Sequence, residues 1–365
     1  RVVQLGESIQ PQVAASQAGD VVIVRAGEYQ NQTISVDKPI RLVREKGTTV
    51  TIGGSLTYAD VNGTVVLRDF TLLAAGKGSL SLSNCTKFGL ENLTKLTEGI
   101  TIAGSTVVIR DCAFTGNLSI SGASSVEMVN SSCLNLTLNG SDLKAVDCNF
   151  GAVNVANDSN VTLVNSTFWS GAFTGGRALL RKCTASGDVT FTQCDWQDHG
   201  STYNHHLTRN QSHSKLSRST VKKAFTHGHA SYGGTNLDCV VFQSTIGRQS
   251  GDPLFSKATR TWVTYSTIHH AAQNGGAEAH FIGNQVYVDV AKGPNGISLN
   301  GANCVTTIAN NHFYSTNTAY NSPIASQNGQ YDNSNDTSWH IAKTFNNLNS
   351  FVTEVKNQLY NAGNH

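Results

Sequence analysis

Residues 147–168 read DCNFGAVNVANDSNVTLVNSTF. They open on Asp147-Cys148-Asn149-Phe150 and close on Asn165-Ser166-Thr167-Phe168. The two ends share one pattern: a polar residue, Cys or Ser, any residue, then a large apolar one. Between them runs Val161-Thr-Leu-Val164, a short β-branched strand bounded by turn residues. The pattern recurs as Asp111-Cys112-Ala113-Phe114, Gln193-Cys194-Asp195-Trp196 and Arg218-Ser219-Thr220-Val221. It continues as Gln243-Ser244-Thr245-Ile246 and Tyr265-Ser266-Thr267-Ile268, with a looser copy at Asn310-Asn311-His312-Phe313. Most gaps are 17 to 28 residues or a multiple of that. A fixed period in this range signals a repeat architecture. Each strand is too short to bury an apolar face alone, so the coils must stack to make a core.

Other repeat folds fit less well. No L-x-x-L-x-L frame is present, and a propeller would repeat nearer ~40 residues. The 365 residues include 34 Gly, 5 Pro and 1 Met, and only 14% are charged. That mixture suits short strands and tight turns, not helix bundles. Cys112, Cys148 and Cys194 occupy the slot filled elsewhere by Ser166, Ser219, Ser244 and Ser266. A small side chain stacked inside a turn explains both types, which points to free, buried thiols. Coils ~4.8 Å apart also leave a disulfide between neighbours geometrically open. The eight cysteines form no C-x-x-C pair, so no zinc site is expected.

The N-terminus gives an ordered series of signals. Ser8 to Gly19 reads as a short helix, with Ser8 as cap, Ile9 and Val13 on one face and Gly19 as the stop. Asp20-Val-Val-Ile-Val24, Ala26-Gly27-Glu28-Tyr29, a strand over Gln32–Val36 and Lys38-Pro39-Ile40-Arg41-Leu42-Val43 follow. This series resembles the opening of right-handed parallel β-helix proteins of the pectate-lyase-like superfamily, where a helix covers the first coil. The expected fold is therefore all-β, a right-handed parallel β-helix solenoid with an N-terminal capping helix (1–20) and a body over 21–314. A loop over 315–336 and a C-terminal amphipathic helix over 337–365 complete it. The helix rests on the spacing of Trp339, Ala342, Phe345, Leu348, Val352, Val355 and Leu359. No apolar run reaches the ~18 residues of a membrane span. Arg1 either follows a removed signal peptide or marks an artificial boundary, and a secreted or cell-surface location is expected.

Function is sought first in His199 to Gly234, which holds His199, His205, His206, His213, His227 and His229, together with Arg209, Lys215, Arg218, Lys222 and Lys223. It has no Asp or Glu, in a chain whose net charge is +2. Such a local excess attracts anions. Aligning the repeats sets Lys222-Lys223, Gly247-Arg248, His269-His270 and, more loosely, Tyr314 in one column. A β-helix of the resembled superfamily lays a polymer across its coils, so the expected partner is an anionic polysaccharide.

The reaction considered first is β-elimination at a uronate. It needs a cation to neutralise the carboxylate, a base for the neighbouring C–H and an acid for the leaving oxygen. Arg248 is assigned as neutraliser, Lys222 or His269 as base, and His270, His227 or His229 as acid. Lys223, Arg218, Arg209, His205, His206 and Tyr314 are assigned to substrate binding. Calcium enters only as an alternative neutraliser; no metal ligands are assigned.

Other chemistries leave less trace. Glycoside hydrolysis needs two placed carboxyl groups, and Asp195 with Asp198, or Asp238 with Asp252, are the pairs available. There is no Asp-Pro-His of mannuronan epimerases, and His227-Gly228-His229 inverts the Gly-His-Gly of polygalacturonases. No nucleic-acid reader motif is present. The alternative is a non-catalytic cell-surface adhesin or structural protein that binds polysaccharide or self-assembles. Trp169, Trp196, Trp262 and Tyr314 are candidates to stack on sugars, or to pack in the core.

Overall fold

A computed structural model describes residues 1–326 apart from 74–78, 95–98, 206, 211–212, 228–237, 248–253, 257–259, 270, 275–277, 289–296, 301–304, 310 and 316–323. The chain is an all-parallel β-solenoid, consistent with a right-handed parallel β-helix. One sheet stacks sixteen described strands, from Val2–Val3 through Asp142–Val146 to Val305–Ala309. Its rungs stay in register: Leu143 faces Val161, Val161 faces Ala178, and Ala178 faces Trp196. The other strands stack in the same sense to close each coil.

The alternating pattern decides which side chains go inside. Asn160–Val164 buries Val161 and Leu163 and turns its other residues outward. Coil upon coil, these inward residues form one continuous core. Phe173, Phe191 and Trp196 stack through it, each pair with ring centroids 4.6 Å apart.

Corners are fixed by two side-chain ladders. Inside, the slot shared by Cys and Ser accepts a hydrogen bond from the equivalent N–H one coil earlier: Cys148 N donates to Ser166 Oγ (3.1 Å), Ser201 N to Ser219 Oγ (3.1 Å) and Ser244 N to Ser266 Oγ (3.2 Å). Asn284 and Asn311 continue the row. The seven described cysteines are buried free thiols. Outside, Asp69, Asn92, Asp111, Asn130, Asp147 and Asn165 take positive φ, the conformation Asn and Asp tolerate best among non-glycine residues. Each Asn amide donates to the Asp before it: Asn92 to Asp69 (2.6 Å), Asn130 to Asp111 (2.7 Å) and Asn165 to Asp147.

The N-terminal helix covers Ile9–Ala15 and buries Ile9 and Val13. Its cap differs from expectation. Ser8 makes no side-chain cap; Gln32 Oε1, one strand away, accepts from Ile9 N at 3.0 Å. Ser16, not Gly19, ends the helix. Within the stretch expected as a loop, Ile324–Ser326 forms a strand against Ile297–Asn300. Residues 327–365, and with them the expected C-terminal helix, lie outside the described residues.

Candidate functional site

One corner of the coil stacks the backbone positions of Lys222, Gly247 and His269. Ala185 pairs with Tyr203, Tyr203 with Val221, Val221 with Ile246 and Ile246 with Ile268. The residues that follow these inward side chains are Ser186, Asn204, Lys222, Gly247 and His269. Backbone hydrogen bonds tie the steps together: Asn204 N to Ala185 O (2.8 Å), Lys222 N to Tyr203 O (2.8 Å) and Gly247 N to Val221 O (2.6 Å). Lys222 is exposed and His269 half-exposed. Two coils put their backbones ~10 Å apart. Gly247 lies between them, and a Cβ there would run into the Lys222 carbonyl oxygen. The column thus sets a cation, a glycine and an imidazole on three successive coils. Tyr314 reaches the same column at backbone level, beside Tyr287 and above the Ile268–Val286 pair.

A second pair adjoins the column. Asp188 Oδ1 meets His205 Nδ1, with the Asp188 side chain largely exposed and His205 about one-third exposed. A carboxylate on Nδ1 fixes the ring's orientation and tautomer. Asp188 escapes a reading of the sequence because it precedes the basic stretch. Its separation of 17 residues from His205 is one coil, and is the signal that points to it.

Other assigned residues sit apart. Arg218 occupies a positive-φ corner separated from Lys222 by the strand Thr220–Val221, and its Nε donates to Gln243 Oε1 at 3.0 Å. Lys223 is half-exposed beside Lys222. The backbone sets Arg209 opposite His227, on Leu207–Asn210 and Phe225–His227. His206, His229, Arg248 and His270 lie outside the described residues.

The Asp195–Asp198 pair does not form. Asp195 points outward, whereas Asp198 points into the coil and is 3% exposed, because three residues along a strand reverse the face. Asp238 is held by Arg260 at 2.7 and 3.0 Å, and Asp252 lies outside the described residues. Of the candidate stacking rings, Trp196 is core at 1% exposed. Trp262 is covered by its neighbours, stacked on His280 (5.8 Å) and under the Arg260 guanidinium (5.5 Å). Trp169 alone of these three is open, at 66%.

No family model matches the chain, and no curated protein matches it. Among solved structures, the catalytic domain of a GH87 α-1,3-glucanase in complex with tetrasaccharides is similar over 88% of this chain and 68% of that one, at 11% identity and a TM-score of 0.39. The same domain with nigerose gives 0.36 over the same shares. PfbA, a surface adhesin of Streptococcus pneumoniae, is similar over 84% of this chain and 87% of its own, at 11% identity and a TM-score of 0.32. These likenesses assign no role to any residue here.

Proposed function

We propose that this chain is a polysaccharide-active β-helix protein of the pectate-lyase-like superfamily, secreted or held at the cell surface, and that its substrate is an anionic polysaccharide cleaved by β-elimination. The observation that carries the reading is the placing of Lys222, Gly247 and His269 at equivalent positions of three successive coils. A uronate carboxylate seated over Gly247 is neutralised by the Lys222 ammonium, with Arg248 as a second cation. His269 takes the proton next to the carboxylate. The electron pair left behind forms the C=C bond, and the C–O bond to the next sugar breaks. His205, oriented by Asp188 on the far side of Lys222, delivers the proton that the leaving oxygen needs, in its protonated form. Calcium is an alternative neutraliser; the proposal assigns it no ligands.

The test is the ultraviolet absorbance of the unsaturated uronate, followed over alginate, pectate, hyaluronan, chondroitin and ulvan, with and without calcium. A rise abolished by Lys222→Ala or His269→Ala supports the lyase. The alternative is a non-catalytic adhesin that binds polysaccharide; the split of Asp195 and Asp198 between two faces bears only on glycoside hydrolysis. Retention of a polymer with no absorbance rise on any substrate would leave that reading in place and remove elimination.

A further inference from the structure

Leu134, Gly151 and Trp169 stand one above another at the same corner of three successive coils, since Cys133 pairs with Phe150 and Phe150 with Phe168. Leu134 is 55% exposed and Trp169 66%. The other exposed large hydrophobics among the described residues lie elsewhere, Val2 and Leu5 on the first coil and Tyr265 at a positive-φ corner. Isolated exposed apolar residues are ordinary; two that share a face and a geometry are not. Glycine shapes this one. A Cβ at Gly151 would run into the Leu134 carbonyl oxygen. A Cβ at Gly187, one coil beyond Trp169, would sit 3.2 Å from the indole Nε1 and 2.9 Å from the Trp169 carbonyl oxygen. Gly187 N also donates to that carbonyl. The indole therefore lies down against the backbone of the next coil and keeps two-thirds of its surface open.

The strands beside this corner turn an uncharged surface outward. Thr137, Asn154, Ala172 and Thr190 follow one another in register, with Asn139 and Thr174 in the parallel column. No charged side chain stands in either column from Thr101 to Thr192. The first described lysine on this corner beyond Trp169 is Lys222, three coils on. Three coils are ~14 Å, well past the Debye length of about 8 Å at physiological salt. The nearer charge is Asp188, which meets His205.

We propose that this corner is a second carbohydrate subsite and that its ligand is an uncharged glycan. A pyranose ring has an apolar C–H face and a rim of hydroxyls. The C–H face stacks on Trp169, and its neighbour along the polymer packs on Leu134. The hydroxyl rim meets the donors and acceptors of Thr137, Asn139, Asn154 and Thr174. The subsite stands whether or not elimination occurs at Lys222.

The test is affinity electrophoresis of the full chain through gels holding mixed-linkage β-glucan, galactomannan or dextran, beside gels holding alginate or pectate. At least one neutral polymer should retard the protein, equally at low and high salt. Trp169→Ala should weaken that retardation about tenfold, the loss of one contact worth about 1.4 kcal/mol, while Trp169→Tyr keeps part of it. Leu134→Ser should weaken it less, and Lys144→Ala, on the other sheet, should leave it unchanged. Circular dichroism of each variant reports that the exposed substitutions leave the coils intact. The proposal is overturned if no neutral polymer retards the protein or if Trp169→Ala migrates as the parent. It is also overturned if only the anionic gels bind, in a salt-sensitive manner, or if sedimentation shows Trp169 instead joining two copies of the chain.

Discussion

Ser219 Oγ donates a hydrogen bond to Asp198 Oδ2 inside the solenoid. Asp198 stands between Leu180 and Leu216 in an otherwise aliphatic row of the core. Burial pushes its carboxyl up to about 7, against the hydroxyls of Ser201, Ser219 and Tyr203 and the His199 backbone, which favour the charged form. The unfolded carboxyl titrates at ~3.9. Between ~4 and ~7 the unfolded chain has already lost a proton that the folded chain still holds, so this group's contribution to stability falls as pH rises through that window and is flat above it. Three pH units amount to at most about 4 kcal/mol. Urea midpoints at pH 5 and pH 8 should differ more for the parent than for Asp198→Asn. Equal differences in the two proteins would show that the folded Asp198 carboxyl does not titrate between pH 5 and pH 8.

Two glycines at coil corners share a left-handed conformation and differ in what surrounds them. Gly176 has φ +65°, and a Cβ there would collide with the Ser159 carbonyl oxygen. Gly200 has φ +73°, with only Lys182 Cγ nearby at 3.7 Å. Gly200→Ala should cost about 1 kcal/mol, the conformational penalty alone. Gly176→Ala should cost about 3 kcal/mol or more, because the backbone must also shift. Chemical denaturation of both variants reads the difference.

Cys148 and Ser166 are interchangeable in the inner ladder. Cys148 Sγ donates to Val146 O at 3.2 Å, and Ser166 Oγ donates to Val164 O at 2.9 Å. Burial raises the thiols, Cys112 and Cys133 to about 12 and Cys183 to about 11. A buried thiol without thiolate character does not react. The seven described cysteines should resist alkylation in the native protein and label together on unfolding, as read by mass spectrometry. Cys148→Ser should change stability by less than about 1.5 kcal/mol. Native labelling of Cys112 or Cys148 at the rate of a free thiol would contradict the ladder.

The solenoid is legible because its signals are local and repeated. Cys148 and Ser166 announce the slot by spacing alone, and the interchange of the two residue types tells that the slot faces inward. The misreadings share a cause, which is that the deciding partner is one coil away. Ser8 has the right chemistry for a cap, yet Gln32 reaches the helix end first. Asp195 and Asp198 read as an available carboxylate pair, although the parity that Asp198 shares with Trp196 places it inside. Asp188 lies outside the basic stretch in sequence and beside His205 in space. Trp196 fills the large apolar slot of the repeat and is a core ring, whereas Trp169 follows the slot residue Phe168 and is open.

Lys222 and His269 make separable predictions at the column. If Lys222 neutralises a carboxylate, Lys222→Ala removes a charge that the base cannot replace, and both binding of the anionic polymer and turnover should fall. Exposure keeps the charge screened, so the binding loss should shrink with added salt, as expected for a lysine in high dielectric. Lys222→Arg keeps the charge and should retain binding. His269→Ala removes the proton acceptor and leaves the charge, so KM should hold while kcat falls by a factor of about 100 or more. His269→Gln should behave the same way. A rate that instead followed Lys222→Arg downward and ignored His269→Ala would move the base from the imidazole to the ammonium side of Gly247. The same absorbance assay used for the lyase reads every arm, with polymer binding measured in parallel by affinity electrophoresis.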